Sequence, residues 1–515
     1  MLKLTFYLAA ICCLLPAPFL LNAQHTPRNI DRGLPEFSLT EMDVKPQMYF
    51  LASDYLAGRR TGSVGNEVAA AYISAQLQAY GYQPLPGADK GYYQNVYLES
   101  SRAPERMSMT LGDMTFTHPE NLIVVRGDAI DKKAEVVFAN YGWVDEKSGY
   151  NDYAELDVKG KIVVTLPGLP DVQGQAAIFQ GFREKGKMAQ DAGAVALVEL
   201  YQMPFPWTGF LSYFGGETMG LAKDKTDGER TIPYGFIKPE DIKAVIAQLK
   251  GKKKMKGELV STGVRTTPVF GRNVAGMIEG SDPELKDEYL LLTAHYDHVG
   301  TGKQGGGAYT PEDSIFNGAR DNAFGLISML AAARSFAQAP PRRSVIVLAV
   351  TGEEMGLLGS SYYAKHPLVP LENTFYNFNT DGAGYNDTTV ISIFGYGRTG
   401  VDAQLDAGTA AFGLDIVENP AEEQGLYDRS DNVSFAVKGV PALTFSAGFR
   451  EFNDEIFKYY HQVSDNPETI DYAYLTKYCQ AFTLCSRLIA DMDGRPFWSA
   501  GDKYEAAGKL LYGRE

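Results

Sequence analysis

The chain has 515 residues, 45% of them hydrophobic and 22% charged. That balance excludes a disordered, collagen-like or coiled-coil chain, and the length suits two or three domains that each bury a core. Asp and Glu outnumber Lys and Arg by 63 to 48, a net charge of −15, which argues against nucleic acid or an anionic membrane surface as a partner.

Residues 1–23 read as a signal peptide. Lys3 precedes an apolar run over 4–21, and Leu21-Asn22-Ala23 puts alanine at the expected cleavage point. Pro16 and Pro18 break the run, which disfavours an uncleaved anchor. No later stretch reaches 18 apolar residues. The mature chain is therefore expected to have no membrane span and to work in the periplasm or outside the cell.

Residues 24–44 are polar and contain proline, and are expected to form a loose N-terminus. Val68, Ala69, Tyr72, Ile73 and Leu77 recur at helical spacing over 64–80, and Gly81 is the natural stop. Residues 93–98 alternate like a strand. These pieces make 24–114 the first part of the main domain.

From about 115 to 265 the texture is β-rich, with short strands expected at 121–125, 135–139 and 161–166. A helix over 181–192 leads into a buried strand over 193–200. Residues 202–235, rich in Gly, Pro and aromatic rings, read as loops, and Lys252-Lys253-Lys254 as a solvated turn.

Residues 266–515 carry apolar strands at 289–294, 344–350 and 439–445, with helices at 325–337 and 472–492. This alternation predicts an α/β fold. Its central sheet would be mixed and mostly parallel, covered by helices on both faces, with the β-rich segment as an insert. Cys479 and Cys485 lie six apart on the last helix, roughly 9 Å along its axis, too far for a disulfide. The tail after Trp498 is either a docking helix or a frayed end.

Polar residues that follow apolar strands are where ligands bind in such sheets. The first strand ends in His295-Tyr296-Asp297-His298. Alternation puts His295 and Asp297 on one side, so Asp297 can take the second ring N–H of a metal-binding His295. Asp321 and Asn322 precede a helix and suit either a metal site or an N-cap. Glu353-Glu354 follows the strand ending at Val350, Asp381 follows another short apolar run, and His461 comes last. Each has a bland reading alone, as loop acid, turn or structural histidine. Together, two His and three carboxylates suit zinc or a similar divalent ion. A bridging carboxylate can hold two ions roughly 3.5–4 Å apart.

This set resembles the co-catalytic di-zinc aminopeptidases, the family that also holds plasma glutamate carboxypeptidase, glutamate carboxypeptidase II and the transferrin receptor. The stretch Leu51-Ala52-Ser53-Asp54-Tyr55-Leu56-Ala57-Gly58-Arg59 is similar to one that many members carry. The resemblance implies two zinc ions, His295 and Asp381 on one, Glu354 and His461 on the other. Asp321 would bridge them, with a cis peptide to Asn322. Glu353 would be the general base toward a metal-bridging water, Tyr460 would polarise the scissile carbonyl, and Asp297 and Asp465 would support the ligands. Arg429-Ser430-Asp431 resembles a substrate-facing loop. The insert is similar to a protease-associated domain, expected beside the active site. The implied activity is an exported zinc aminopeptidase acting on peptides with a free N-terminus, with oligomeric state left open. A dipeptidase or carboxypeptidase would need Arg429 or Arg320 to face a substrate carboxylate, and a binding protein of the family would have lost its ligands.

Overall fold

In the computed structural model, which describes residues 38–514 apart from 171, 173–174, 204–205, 223–230 and 252–253, the strands gather into two large sheets. The expected signal segment, most of the expected loose N-terminus and Lys252-Lys253 lie outside the described residues.

The larger sheet has ten strands. At its centre Ser344–Val350, Tyr289–His295, Thr374–Asp381 and Ala442–Ala447 run parallel and side by side. These strands are buried almost end to end, as expected where helices cover both faces. Alternate side chains divide between two cores. Val345, Val347 and Ala349 join the core under Val64–Tyr80, Gly325–Gln338 and Tyr472–Ala490. Ile346, Leu348 and Val350 join Tyr363 and Phe435 on the opposite face. The sheet is antiparallel on one side, where Arg265–Ile278, Tyr93–Arg102 and Glu217–Leu221 follow in turn. On the other side Val390–Phe394 is antiparallel to its inner neighbour and Asp415–Glu418 parallel to it. The sheet is thus mixed, with its parallel run in the middle.

The second sheet has eight strands drawn from Met107–Leu111 through Met255–Ser261, so it starts ahead of the change of texture at 115. Gln175–Asp191 and Ile242–Leu249 are its main helices. Its interior holds a closed polar cluster. Lys185 Nζ lies 3.1 Å from Glu199 Oε1 and 2.7 Å from the Leu166 carbonyl, and the Tyr234 hydroxyl donates to the same Glu199 oxygen at 2.5 Å.

Two expectations need correction. Residues 41–44 are not loose: Glu41–Leu51 is a helix whose start is boxed by Thr40 and Asp43 and which buries Val44, Met48 and Leu51. The apolar face was hidden by the polar residues and Pro46 between. Residues 202–235 are not all loop. Trp207–Phe214 is a helix whose Trp207 and Phe210 meet Tyr201 edge to face, Phe210 also meeting Phe236 in that way. Glu217–Leu221 leaves the insert's own sheet and pairs with Tyr93–Arg102 in the other, a non-local pairing that no local pattern announces.

Cys479 and Cys485 are free and buried, as expected. The tail is a docking helix: over Glu505–Tyr512 it presses Gly508 against Trp498, and the Tyr512 hydroxyl donates to the Thr374 carbonyl at 2.7 Å. No described helix is long and apolar enough to cross a membrane.

Candidate metal centre

Three neighbouring parallel strands deliver most of the cluster at their carboxyl ends. His295 ends the middle one, Asp381 ends the next on one side, and Glu353 and Glu354 follow the next on the other. Asp321 arrives from the turn ahead of Gly325–Gln338, and His461 from a loop where its φ is +53°.

Asp321 faces both imidazoles with different oxygens. His295 Nε2 is 3.3 Å from its Oδ1, and His461 Nε2 is 3.2 Å from its Oδ2. His295 Nε2 is also 3.7 Å from Asp381 Oδ1, and His461 Nε2 is 3.0 Å from Glu354 Oε2. Yet His295 Nε2, His461 Nε2 and Asp381 Oδ1 are buried without a well-directed hydrogen bond. Buried polar atoms left unpaired are costly and rare. Nitrogen and carboxylate donors converging on shared space fit a divalent cation such as zinc.

The electrostatics agree. Burial alone would push the His295 imidazole down, but Glu353, Asp321 and Asp381 hold it well above its ordinary range. His461 is carried up to about 11 against its burial by Glu354 and Asp321. Burial alone would raise Asp321 and Glu354. The close approach of the His295 and His461 imidazoles instead holds Asp321 well below the usual carboxylate range. The charges of His461 and His298 bring Glu354 down to about 2. These shifts share one cause: the cluster's carboxylates favour positive charge between them. Glu353 is the exception: burial, then the neighbouring carboxylates of Glu354, Asp381 and Asp431, raise it well above the usual range.

The supporting contacts explain how the ligating side chains are freed. Asn322 Oδ1 accepts the N–H groups of Gly325 (3.0 Å) and Gly382 (2.8 Å), and its amide donates to the Thr380 carbonyl. The capping task falls to Asn322 and leaves Asp321 to the cluster; the peptide bond between them is cis. Asp465 accepts from the backbone N–H of Arg320 and of Asp321, at 2.9 and 3.4 Å. Ser430 donates to Asp381 Oδ2 at 2.7 Å.

Several sequence-derived roles change. His295 Nδ1 meets the backbone carbonyl of Asp297 at 3.2 Å, while the carboxylate stays 3.9 Å away. That carboxylate is turned toward the Thr61 hydroxyl (3.1 Å) and the N–H groups of Glu353 (3.2 Å) and Glu354 (3.4 Å). Asp297 therefore places the acidic pair more than the histidine. Of Arg429-Ser430-Asp431, Arg429 is exposed on the cleft wall, and the Ser430 hydroxyl is spent on Asp381. Asp431 is fully buried, and burial raises its carboxyl to about 7. Arg320 is also unavailable to a substrate: it is buried, paired with Asp465 at 3.0 Å, and bonded to Thr469.

Two residues of the centre went unassigned in the sequence. His298 Nδ1 lies 2.7 Å from Glu354 Oε1, leaving Oε2 to face His461. Gly318, at φ +61°, makes room for it, since a Cβ there would lie 2.6 Å from the His298 ring. The second histidine of His295-Tyr296-Asp297-His298 was the available signal. Arg59 is buried, and its guanidinium donates to the carbonyls of Leu51, Tyr296, Asn317 and Gly318. It knots the N-terminal segment to the turns that carry His295 and Asp321. Burial lowers Arg59 to about 10, while Asp297, Asp321, Asp465 and Glu354 oppose the fall.

The acids of the cluster floor an open cleft walled by Phe394, Leu426, Phe449, Phe452 and Tyr460. Tyr460 stacks on His461 with ring centroids 4.2 Å apart. Among the described residues, those that line the cleft come from the larger sheet's part of the chain.

Residues 273–484 match Peptidase family M28, and residues 132–245 match the PA domain. Aminopeptidase YwaD of Bacillus subtilis (strain 168) is 27% identical over 325 residues, 62% of this chain and 61% of that protein. The vacuolar membrane protease of Saccharomyces cerevisiae (strain ATCC 204508 / S288c) is 32% identical over 170 residues, 32% of this chain and 14% of that protein. The chain thus matches less than two thirds of the length of either relative. Among solved structures, the aminopeptidase from Aneurinibacillus sp. strain AM-1 shares the fold, with a TM-score of 0.57 at 20% identity over 88% of this chain and 95% of that one. The sheet order, the convergent donors and both sequence matches agree: the chain resembles peptidase family M28 over residues 273–484 and the PA domain over residues 132–245.

Proposed function

We propose that the chain is an exported zinc aminopeptidase that releases N-terminal residues from peptides. The observation that carries this reading is Asp321 set between two buried, partnerless imidazole nitrogens at 3.3 and 3.2 Å. In the proposed assignment His295, Asp381, Glu354, His461 and Asp321 would hold two zinc ions, with Asp321, which faces both imidazoles, shared between them. When bound, the zinc pair supplies Lewis acidity and a water acidic enough to ionise near neutral pH.

The chain's own groups do the rest. Glu353 lines the cleft, and its raised proton affinity suits it to take a proton and return it to the leaving amine. The Tyr460 hydroxyl, on the cleft wall, donates to the developing oxyanion. The free α-amino group of the substrate sits by the Glu354 and Asp381 carboxylates, which restricts cleavage to the first residue. All five ligand positions and Glu353 are present, which favours an enzyme over a binding protein. A dipeptidase or carboxypeptidase is the second reading, through Arg429, since Arg320 is engaged with Asp465. Residues 1–23 carry the proposal of export.

The test is elemental analysis of the purified mature protein together with hydrolysis of aminoacyl chromogenic substrates and their N-blocked forms. Two zinc ions per chain with cleavage of unblocked substrates alone is the expected result. Activity confined to substrates with a free C-terminus would favour the second reading, and no metal with no activity after zinc is restored would end both.

A further inference from the structure

One cation on the cleft wall takes no part in the metal cluster. Arg429 lines the cleft near Tyr460, Leu426, Phe449 and Phe452, and its side chain is exposed. Other cations of this region are neutralised. Arg398 is held by both oxygens of Asp502 at 2.7 and 3.0 Å. Lys503 meets Asp428 at 2.5 Å, Arg450 meets Asp387 at 3.0 Å, and Arg320 meets Asp465 at 3.0 Å. Arg429 forms no hydrogen bond or ion pair with any described residue, in a chain where acids outnumber bases by 63 to 48.

Its root is fixed. Arg429 ends the short helical turn Leu426–Arg429, and the next residue, Ser430, is bonded to Asp381. A planar guanidinium carried on the cleft wall can match a carboxylate through paired N–H donors. Arg429 is the one cation among the described residues that line the cleft; the other wall residues are uncharged, mostly aromatic or aliphatic.

We infer that Arg429 is a specificity-determining residue that recognises a carboxylate of the substrate, while the aromatic wall takes uncharged side chains. The inference rests on the aminopeptidase reading. The carboxylate has two possible sources: the side chain of an acidic first residue, or the free C-terminus of a dipeptide.

The experiment uses the zinc-loaded mature protein and two matched substrate pairs. Leucyl-alanine against leucyl-alanine amide reads the C-terminus; glutamyl against glutaminyl p-nitroanilide reads the side chain. The wild type is expected to favour the charged member of one pair by about fivefold in kcat/KM at low salt, the size of an exposed ion pair. The pair that shows it identifies the source. In Arg429→Gln the preference should shrink to within about twofold, through KM rather than kcat. Arg429→Lys should keep part of it, and added salt should erode it, neither of which a merely structural role would produce. Equal ratios in wild type and Arg429→Gln for both pairs would overturn the inference. Leucyl p-nitroanilide, run alongside, separates the two levels: its cleavage with equal ratios leaves the aminopeptidase reading standing, and no cleavage of any substrate removes both.

Discussion

In the insert, Lys185 lies between Glu199 and the Leu166 carbonyl, and Tyr234 closes on the same Glu199 oxygen. In the larger sheet, His295, His461 and Asp381 present buried atoms with no partner. Both clusters place charge where water is excluded. The first is complete in itself and serves to hold its own sheet together. The second gathers imidazole and carboxylate donors that are not paired among themselves, a set that suits a divalent cation. Buried charge alone says little about function; whether its partners are all present says more.

Four changes probe this contrast. The largest effect is expected from Glu353→Gln, which removes the proposed base but none of the proposed ligands: activity on leucyl p-nitroanilide should fall about 10²–10⁴-fold, with zinc content by elemental analysis unchanged. Loss of zinc in that variant would mean Glu353 belongs to the ligand set. Next, stripping the metal with a chelator should lower Tm, and restoring zinc to about 1,000 times its Kd should recover about 4 kcal/mol. A Tm indifferent to zinc would make the open cluster no more metal-seeking than the closed one.

Third, Lys185→Met leaves Glu199 buried without its cation and should cost about 3–5 kcal/mol in denaturant unfolding. Adding Glu199→Leu should recover most of the loss, with zinc content the same throughout. A double variant as unstable as the single one would show that the pair contributes more than its own charge balance. The smallest effect concerns Glu288. Burial alone would raise its carboxyl, but Arg343 at 2.7 Å and Arg495 at 2.9 Å lower it below its ordinary 4.5. A depressed acid stabilises the fold fully above its unfolded value and loses that contribution as pH falls through its folded value. The stability gap between wild type and Glu288→Gln should be about 1 kcal/mol at pH 7 and should close below about pH 4.5; a constant gap would contradict the assignment.

The centre was readable because its residues follow buried apolar strands, where nothing structural asks for an acid or a histidine. Strand ends His295 and Asp381 and the pair Glu353-Glu354 stood out for that reason. Roles set by side-chain direction were less readable. Asp297 turned to backbone N–H groups instead of the imidazole, and Asp431 turned into the core. Sequence spacing gives the side of a strand but not which of several donors wins. Arg59 was hidden differently, since its four carbonyl partners come from segments as far off as Asn317 and Gly318.

The strand Glu217–Leu221 has a practical consequence. Because it pairs with Tyr93–Arg102 while its flanking segments belong to the other sheet, the chain crosses between sheets four times, at 102–107, 200–217, 221–234 and 261–265. The insert is stitched into its host, so it cannot be lifted out like a cassette. Trimming residues 103–264 to a short linker would strip the outermost strand and bare the backbone of Tyr93–Arg102. An uncovered edge of that length invites pairing with another molecule, so the shortened protein should self-associate even if its metal centre assembles correctly.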